Sequence, residues 1–153
     1  MINRLTGLLW EKSFLGWLAR TIHRLLWIRI LRIPDSQRLW RAVYNPEQIR
    51  DGKPKHGFFQ DKRGLSCDLS ILTTLEKSRR GTATPPWPDE SGLIEFGVAD
   101  VRSLEVASDV NHFPVKNPRN YAHCQLTTKL TTDQAKALLK YCKYVVDHKF
   151  SPT

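Results

Sequence analysis

The chain is poor in sulfur, with three cysteines and one methionine among 153 residues. Cys67, Cys124 and Cys142 form an odd set without a Cys-x-x-Cys pair. A disulfide framework is not expected, and a reducing compartment suits this composition. Zinc ligands at their usual spacing are missing as well. Long apolar runs are also absent. In the apolar stretch Met1–Ile33 the longest charge-free runs are Leu5–Trp10 and Ser13–Ala19. Neither approaches the ~18 residues of a membrane span, and the pattern is not that of a secretory signal. The expected location is cytoplasmic or peripheral to a membrane. Phosphate-cradling loops of the GxGxxG or GxxxxGK type do not occur. No repeat or low-complexity tract is visible. No metal or cofactor is expected.

Acidic residues are scarcer than basic ones. Lys and Arg number 24 and Asp and Glu 15, giving a net charge of +9. Such an excess favours anionic partners: nucleic acid, phospholipid headgroups or an acidic protein. Much of it lies in residues 1–33, where Arg4, Lys12, Arg20, Arg24, Arg29 and Arg32 face Glu11 alone. The same stretch holds Trp10, Trp17 and Trp27.

Helical periodicity is predicted over Trp17–Ile28. Trp17, Leu18, Ile22, Leu25, Leu26 and Ile28 take one half of the wheel. Arg20, His23 and Arg24 take the other, with Trp27 among them. Such a segment can pack on its own core, dock into another chain, or lie on an anionic membrane. The expectation is a basic amphipathic helical appendage over residues 1–34, closed by Pro34-Asp35-Ser36. Trp10, Trp17, Ile22, Leu25 and Trp27 are its candidate docking residues, toward another protein subunit or a membrane surface.

Residues 35–153 read as an α+β domain with a small mixed or antiparallel sheet and a C-terminal helix. Arg38–Tyr44 suits a strand, with Leu39, Arg41 and Val43 on one side and Trp40, Ala42 and Tyr44 on the other. Leu65–Leu69, Leu93–Val98, Val110–Val115 and Tyr121–Leu126 are further strand candidates. Val101–Val106 suits a strand or a short helix. Residues 79–92, with Pro85-Pro86-Trp87-Pro88, predict an irregular loop. Thr131-x-x-Gln134 is a capping box, and Ala135, Leu138, Leu139, Cys142 and Val146 predict a helix over Thr132–Asp147.

Candidate chemistry is sparse. Asn111-His112 and Asn117–His123 bring two histidines into a polar stretch, and neutral imidazoles serve as bases or acids near pH 7. The plainer role for each is to satisfy a loop carbonyl or pack on the core. Cys67 is a nucleophile only if a base such as His123 lies beside it. A buried cysteine is the simpler reading. Basic clusters at Lys62-Arg63 and Lys77–Arg80 lie near Phe58, Phe59 and Trp87. Cations interleaved with rings suit phosphates and stacked bases, although no RRM, KH or helix-turn-helix signature is present.

The stretch Leu39–Leu126 resembles small bacterial proteins of unassigned function. The resemblance lies in Arg41-Ala42-Val43, in Phe59 followed by Leu65-Ser66-Cys67-Asp68, and in Asn120-Tyr121-Ala122-His123. It implies that Ser66, Asp68 and His123 share one site, which spacing alone does not show.

Three functions are expected, the last of them a peripheral membrane protein held by the N-terminal segment. The first is a non-catalytic accessory subunit that contacts an anionic ligand, nucleic acid foremost, through Arg41, Lys62, Arg63, Arg79, Arg80 and Trp87. The second is a small enzyme on a nucleotide or phosphorylated substrate. There Ser66, Asp68 and His123 would be catalytic and Arg41 would hold phosphate. The geometric discriminator is whether those three side chains meet in one concave pocket.

Overall fold

The computed structural model describes residues 7–61, 64–82, 84–104 and 108–151. Strand β1 (Arg38–Val43) is central to a six-stranded sheet. A short hairpin, β2 (Ile49–Arg50) with β3 (Lys53–Pro54), stands apart from it. The other five strands of the large sheet are β4 (Ser66–Leu69), β5 (Gly92–Gly97), β6 (Val110–His112), β7 (His123–Leu126) and β8 (Lys143–Val146). Their order is β6-β7-β4-β1-β5-β8, with every pair antiparallel. The α+β class expected from sequence is the observed one.

Alternation builds the two faces. In β4, Cys67 and Leu69 are buried while Ser66 and Asp68 are half-exposed. In β7, Cys124 and Leu126 are buried while His123 and Gln125 are half-exposed. Strand pairing places Leu39 opposite both Leu69 and Phe96, and Cys67 opposite Cys124. These side chains join Phe59, Leu65, Ile94 and Leu138 in one hydrophobic cluster. Burying such a set is the main stabilising contribution, about 1.5–3 kcal/mol for each large side chain.

The last helix is shorter than its periodicity predicts. It runs from Thr132 to Leu139, with the Thr131–Gln134 capping box in place. Residues 143–146 form β8 instead, paired with β5 through Val146–Leu93, Tyr144–Ile94 and Lys143–Glu95. Tyr144, Val145 and Val146 are good strand formers, and a long-range edge pairing overrides the local helical spacing. Val98–Arg102, bordering the Val101–Val106 candidate, forms a short helix.

The N-terminal helix α1 spans Phe14–Leu25, with Ser13 as its N-cap. It stops short of the predicted Ile28 because Trp27 takes a left-handed conformation, φ 56°. The division expected at residue 34 does not divide the core. Leu9, Ala19, Ile30 and Ile33 belong to the same buried cluster as the strands. Backbone ties reinforce this. The Tyr121 hydroxyl donates to Ile28 O at 2.6 Å, and Arg29 Nε donates to His112 O at 2.8 Å. Helix α1 buries its small residues: Gly16 lies against the backbone of Leu8 and Glu11, and Ala19 joins the core cluster.

Candidate functional site

The sheet face opposite the core carries a polar row. Asp68 on β4 lies opposite Trp40 on β1 and His123 on β7. Trp40 in turn lies opposite Glu95, and Glu95 opposite Lys143. Side chains directly opposite on antiparallel strands have Cβ atoms about 4.5–5.5 Å apart. Trp40 Nε1 donates to Glu95 Oε2 at 2.9 Å, and Lys143 Nζ is 3.4 Å from Glu95 Oε1. Asp68 accepts from Ser78 Oγ at 2.7 Å and from Asn120 Nδ2 at 2.8 Å. Ser78 belongs to helix α2 (Leu75–Arg80), which Thr74 caps and which sits over this face.

A cleft of about 340 Å³ opens over this row. Ser66, Asp68 and His123 all line it, with Arg41 and Trp87. Ser66, Asp68 and His123 therefore border one cleft. A nucleophile–base pair is not assembled, however. Both Asp68 oxygens are held by Ser78 and Asn120, and among the described residues no hydrogen bond joins Ser66, Asp68 and His123. Burial pulls the His123 imidazole below its ordinary pKa, with Asp68 opposing, which favours the neutral ring at pH 7. That ring can accept or donate a hydrogen bond to a ligand.

Arg41 does not act as a free phosphate fork. Its Nη1 donates to Ser66 O at 2.6 Å and its Nη2 to Phe58 O at 3.1 Å. Its guanidinium lies 4.5 Å from the Phe58 ring centroid. Pairing between β1 and β4 is confined to Leu39–Leu69 and Trp40–Asp68, and Arg41 links the strands beyond that point. Its Nε is buried without a hydrogen-bond partner. Arg41 is therefore a brace for the cleft wall.

Trp87 forms a wall rather than a free stacking platform. It stacks on Tyr44 at a centroid distance of 4.5 Å and a tilt of 13°. Gly81 presses on the same indole; a Cβ there would lie 2.8 Å from ring carbons. Arg79 and Arg80, expected to bind ligand, hold the 81–91 loop instead. Arg79 pairs with Glu76 and donates to Asp89 O and Ser91 O, while Arg80 pairs with Asp89. Lys62 and Arg63 lie outside the described residues. Cys67 points into the core, where burial pushes its thiol pKa well up, so it is no nucleophile. His112 is also a core residue, bonded on both ring nitrogens.

A second cavity, about 680 Å³, adjoins the first between α1 and the body. The two share Asp68, Gly81, Thr82 and Asn120 in their linings. Arg24, Lys77 and Arg119 supply positive charge along the second. Arg20 lines it too, yet its Nη1 is taken by Leu9 O and Glu11 O. Trp27, an expected docking residue, is half-buried here, edge-on to Tyr121 and 5.1 Å from the Arg119 guanidinium. Trp10 is likewise packed against the core, while Trp17, Ile22 and Leu25 stay exposed. Of the residues on or after α2, Lys77 lies in the basic cluster that the sequence shows, while sequence pattern points to neither Ser78 nor Thr82 as a cleft residue, because their placement depends on how α2 crosses the sheet. Among the described residues no group of three His, Cys, Asp or Glu side chains is placed to hold a metal, and no helix is long and apolar enough to cross a membrane.

No family model matches the chain, and neither does any curated protein or solved structure compared with it. The functional reading therefore rests on the cleft itself.

Proposed function

We propose that the protein is a non-catalytic binding module, an accessory subunit that holds a nucleotide unit. The ring enters the cleft and the phosphate lies along the cationic groove. The observation that carries this reading is that the two cavities adjoin at Asp68, Gly81, Thr82 and Asn120. Ring-sized space walled by Trp40 and Trp87 opens at one end. Hydrogen-bonding groups are fixed there: Ser66, Ser78, Asn120 and the neutral imidazole of His123. Arg24, Lys77 and Arg119 stand at the other end. A concave, ring-walled site with few convergent polar groups is the usual form of a small-ligand pocket. Phosphates supply the negative charge that the groove is built to meet.

Titration with nucleoside 5′-monophosphates and a short single-stranded RNA tests this. Binding is stoichiometric and weakens steeply with salt. Lys77→Gln with Arg119→Gln lowers affinity at least tenfold and flattens the salt dependence. Binding indifferent to salt, or to both substitutions, removes the proposal.

A small enzyme on a nucleotide or phosphorylated substrate is the second reading, favoured by the shared cleft of Ser66, Asp68 and His123. Turnover of such a substrate, lost in His123→Ala with binding retained, would select it over the first.

A further inference from the structure

Helix α1 presents its large apolar side chains to solvent and its small ones to the body. At 100° per residue, Phe14, Leu25, Leu18, Ile22, Leu15 and Leu26 fill a continuous arc about 120° wide. All six are exposed, Phe14 at 72% and Leu25 at 73%. The arc contains no polar residue. Gly16, on the far side, and Ala19, next to Leu26 at the edge of the arc, are the buried residues of the helix. Leu31, in the segment after the helix, is 91% exposed as well. Trp17 stands at the edge, 5.7 Å from the Phe14 ring. A core-packing amphipathic helix has the reverse orientation, so this face is built for something outside the chain.

The charge along this N-terminal segment is almost all of one sign. Lys12, Arg24, Arg29 and Arg32 are exposed, and Glu11 is the single acid in residues 1–33. A second copy of the chain would bring these same cations against one another. We infer that the outward face of α1 lies on an anionic phospholipid surface. Phe14, Leu18, Ile22 and Leu25 enter the boundary between headgroups and acyl chains, Trp17 sits at headgroup level, and the arginines meet lipid phosphates. The apolar arc itself lies outside the cleft, although Trp17 and Arg24 beside it also line the adjoining groove. Surface binding of this kind adds apolar burial to electrostatic attraction, and the two contributions separate experimentally.

The test is co-sedimentation of the full chain with vesicles of phosphatidylcholine alone or with one part in about three of phosphatidylglycerol. Wild type partitions into the anionic vesicles and at least tenfold less into the neutral ones. Leu18→Ser with Leu25→Ser keeps the net charge and the fold, Leu25 being 73% and Leu18 39% exposed, yet lowers partitioning at least tenfold. Lys12→Gln with Arg32→Gln, which leaves the apolar arc intact, lowers binding to the anionic vesicles alone. Trp17 emission shifts to the blue on binding, and the shift is lost in Trp17→Phe. Equal partitioning of wild type and the Leu18/Leu25 variant would mean charge alone, and would overturn the inference. Failure of wild type to bind anionic vesicles would overturn it as well, and binding of the arc to a purified protein instead would then mark it as a subunit interface.

Discussion

His112 Nδ1 accepts a hydrogen bond at 2.9 Å from the backbone N–H of Ile30, 82 residues earlier. The opposite nitrogen, Nε2, lies 2.6 Å from Tyr121 O and donates to it. One imidazole thus joins the strand β6, the segment after α1 and the turn before β7. Its tautomer is fixed: Nδ1 bare, Nε2 protonated. Replacing His112 by Ala leaves a buried N–H and a buried carbonyl without partners. A loss of about 2–4 kcal/mol is expected, measured by urea denaturation. Protease cleavage between residues 26 and 34 should appear at the same time. An unchanged midpoint would mean that these two bonds contribute nothing.

Acid acts on the same contact. Burial holds the His112 pKa down to about 4, against an ordinary 6.5, with Arg29, His123 and His23 adding positive charge and the Tyr121 carbonyl opposing. The folded value is below the unfolded one, so between the two the unfolded chain binds more protons. Stability from this group is therefore complete above about pH 6.5 and is lost as pH falls toward 4. Protonated Nδ1 would also face the Ile30 N–H, donor against donor. Melting temperature should fall through that window in wild type. His112→Gln, less stable at neutral pH, should show a shallower fall.

Gly81 has two reasons to be glycine. Its φ is +68°, and a Cβ would meet the Trp87 ring at 2.8 Å. Gly81→Ala should cost about 1–3 kcal/mol through strain and displacement of the indole. Near-ultraviolet circular dichroism should change, because the Tyr44–Trp87 stack is disturbed. A folded variant with an unaltered spectrum would show that the wall tolerates movement.

Arg41 to Lys is not a conservative change here. The planar guanidinium reaches Ser66 O and Phe58 O together while lying over the Phe58 ring. A lysine has one nitrogen and no plane to stack. Arg41→Lys should destabilise by about 1–3 kcal/mol and weaken ligand binding by loosening β4 against β1. Full retention of both would mean that the strands need no brace.

Local signals in the sequence predict local structure well. Thr131 and Gln134 form the capping box their spacing predicts. The alternation at Ser66–Leu69 yields the faces that β4 displays. Long-range pairing is where local pattern fails. Cys142 and Val146 continue a helical spacing, yet Val146 pairs with Leu93 on a distant strand. Helix α1 has the expected wheel, but periodicity cannot say which half faces the body. Small Gly16 and Ala19 were the signal for that, since close approach favours small residues. A tryptophan with positive φ, at Trp27, ends the helix where no glycine or proline warns of it. The Asp68–His123 strand pairing is not legible in the sequence, because no local pattern joins β4 to β7. Ser78 is on no motif at all, and Arg79 and Arg80 look like ligand-binding cations until their carboxylate partners are seen.

The central claim is that the cleft and groove form one nucleotide site. Chemical-shift mapping with adenosine 5′-monophosphate tests it most directly. The account predicts saturable shifts confined to Asp68, Ser78, Thr82, Asn120, His123, Lys77 and Arg119 and their neighbours, with His123→Ala weakening binding about tenfold or more. Shifts scattered over the basic surface, or a complete absence of shifts at millimolar nucleotide, would contradict it.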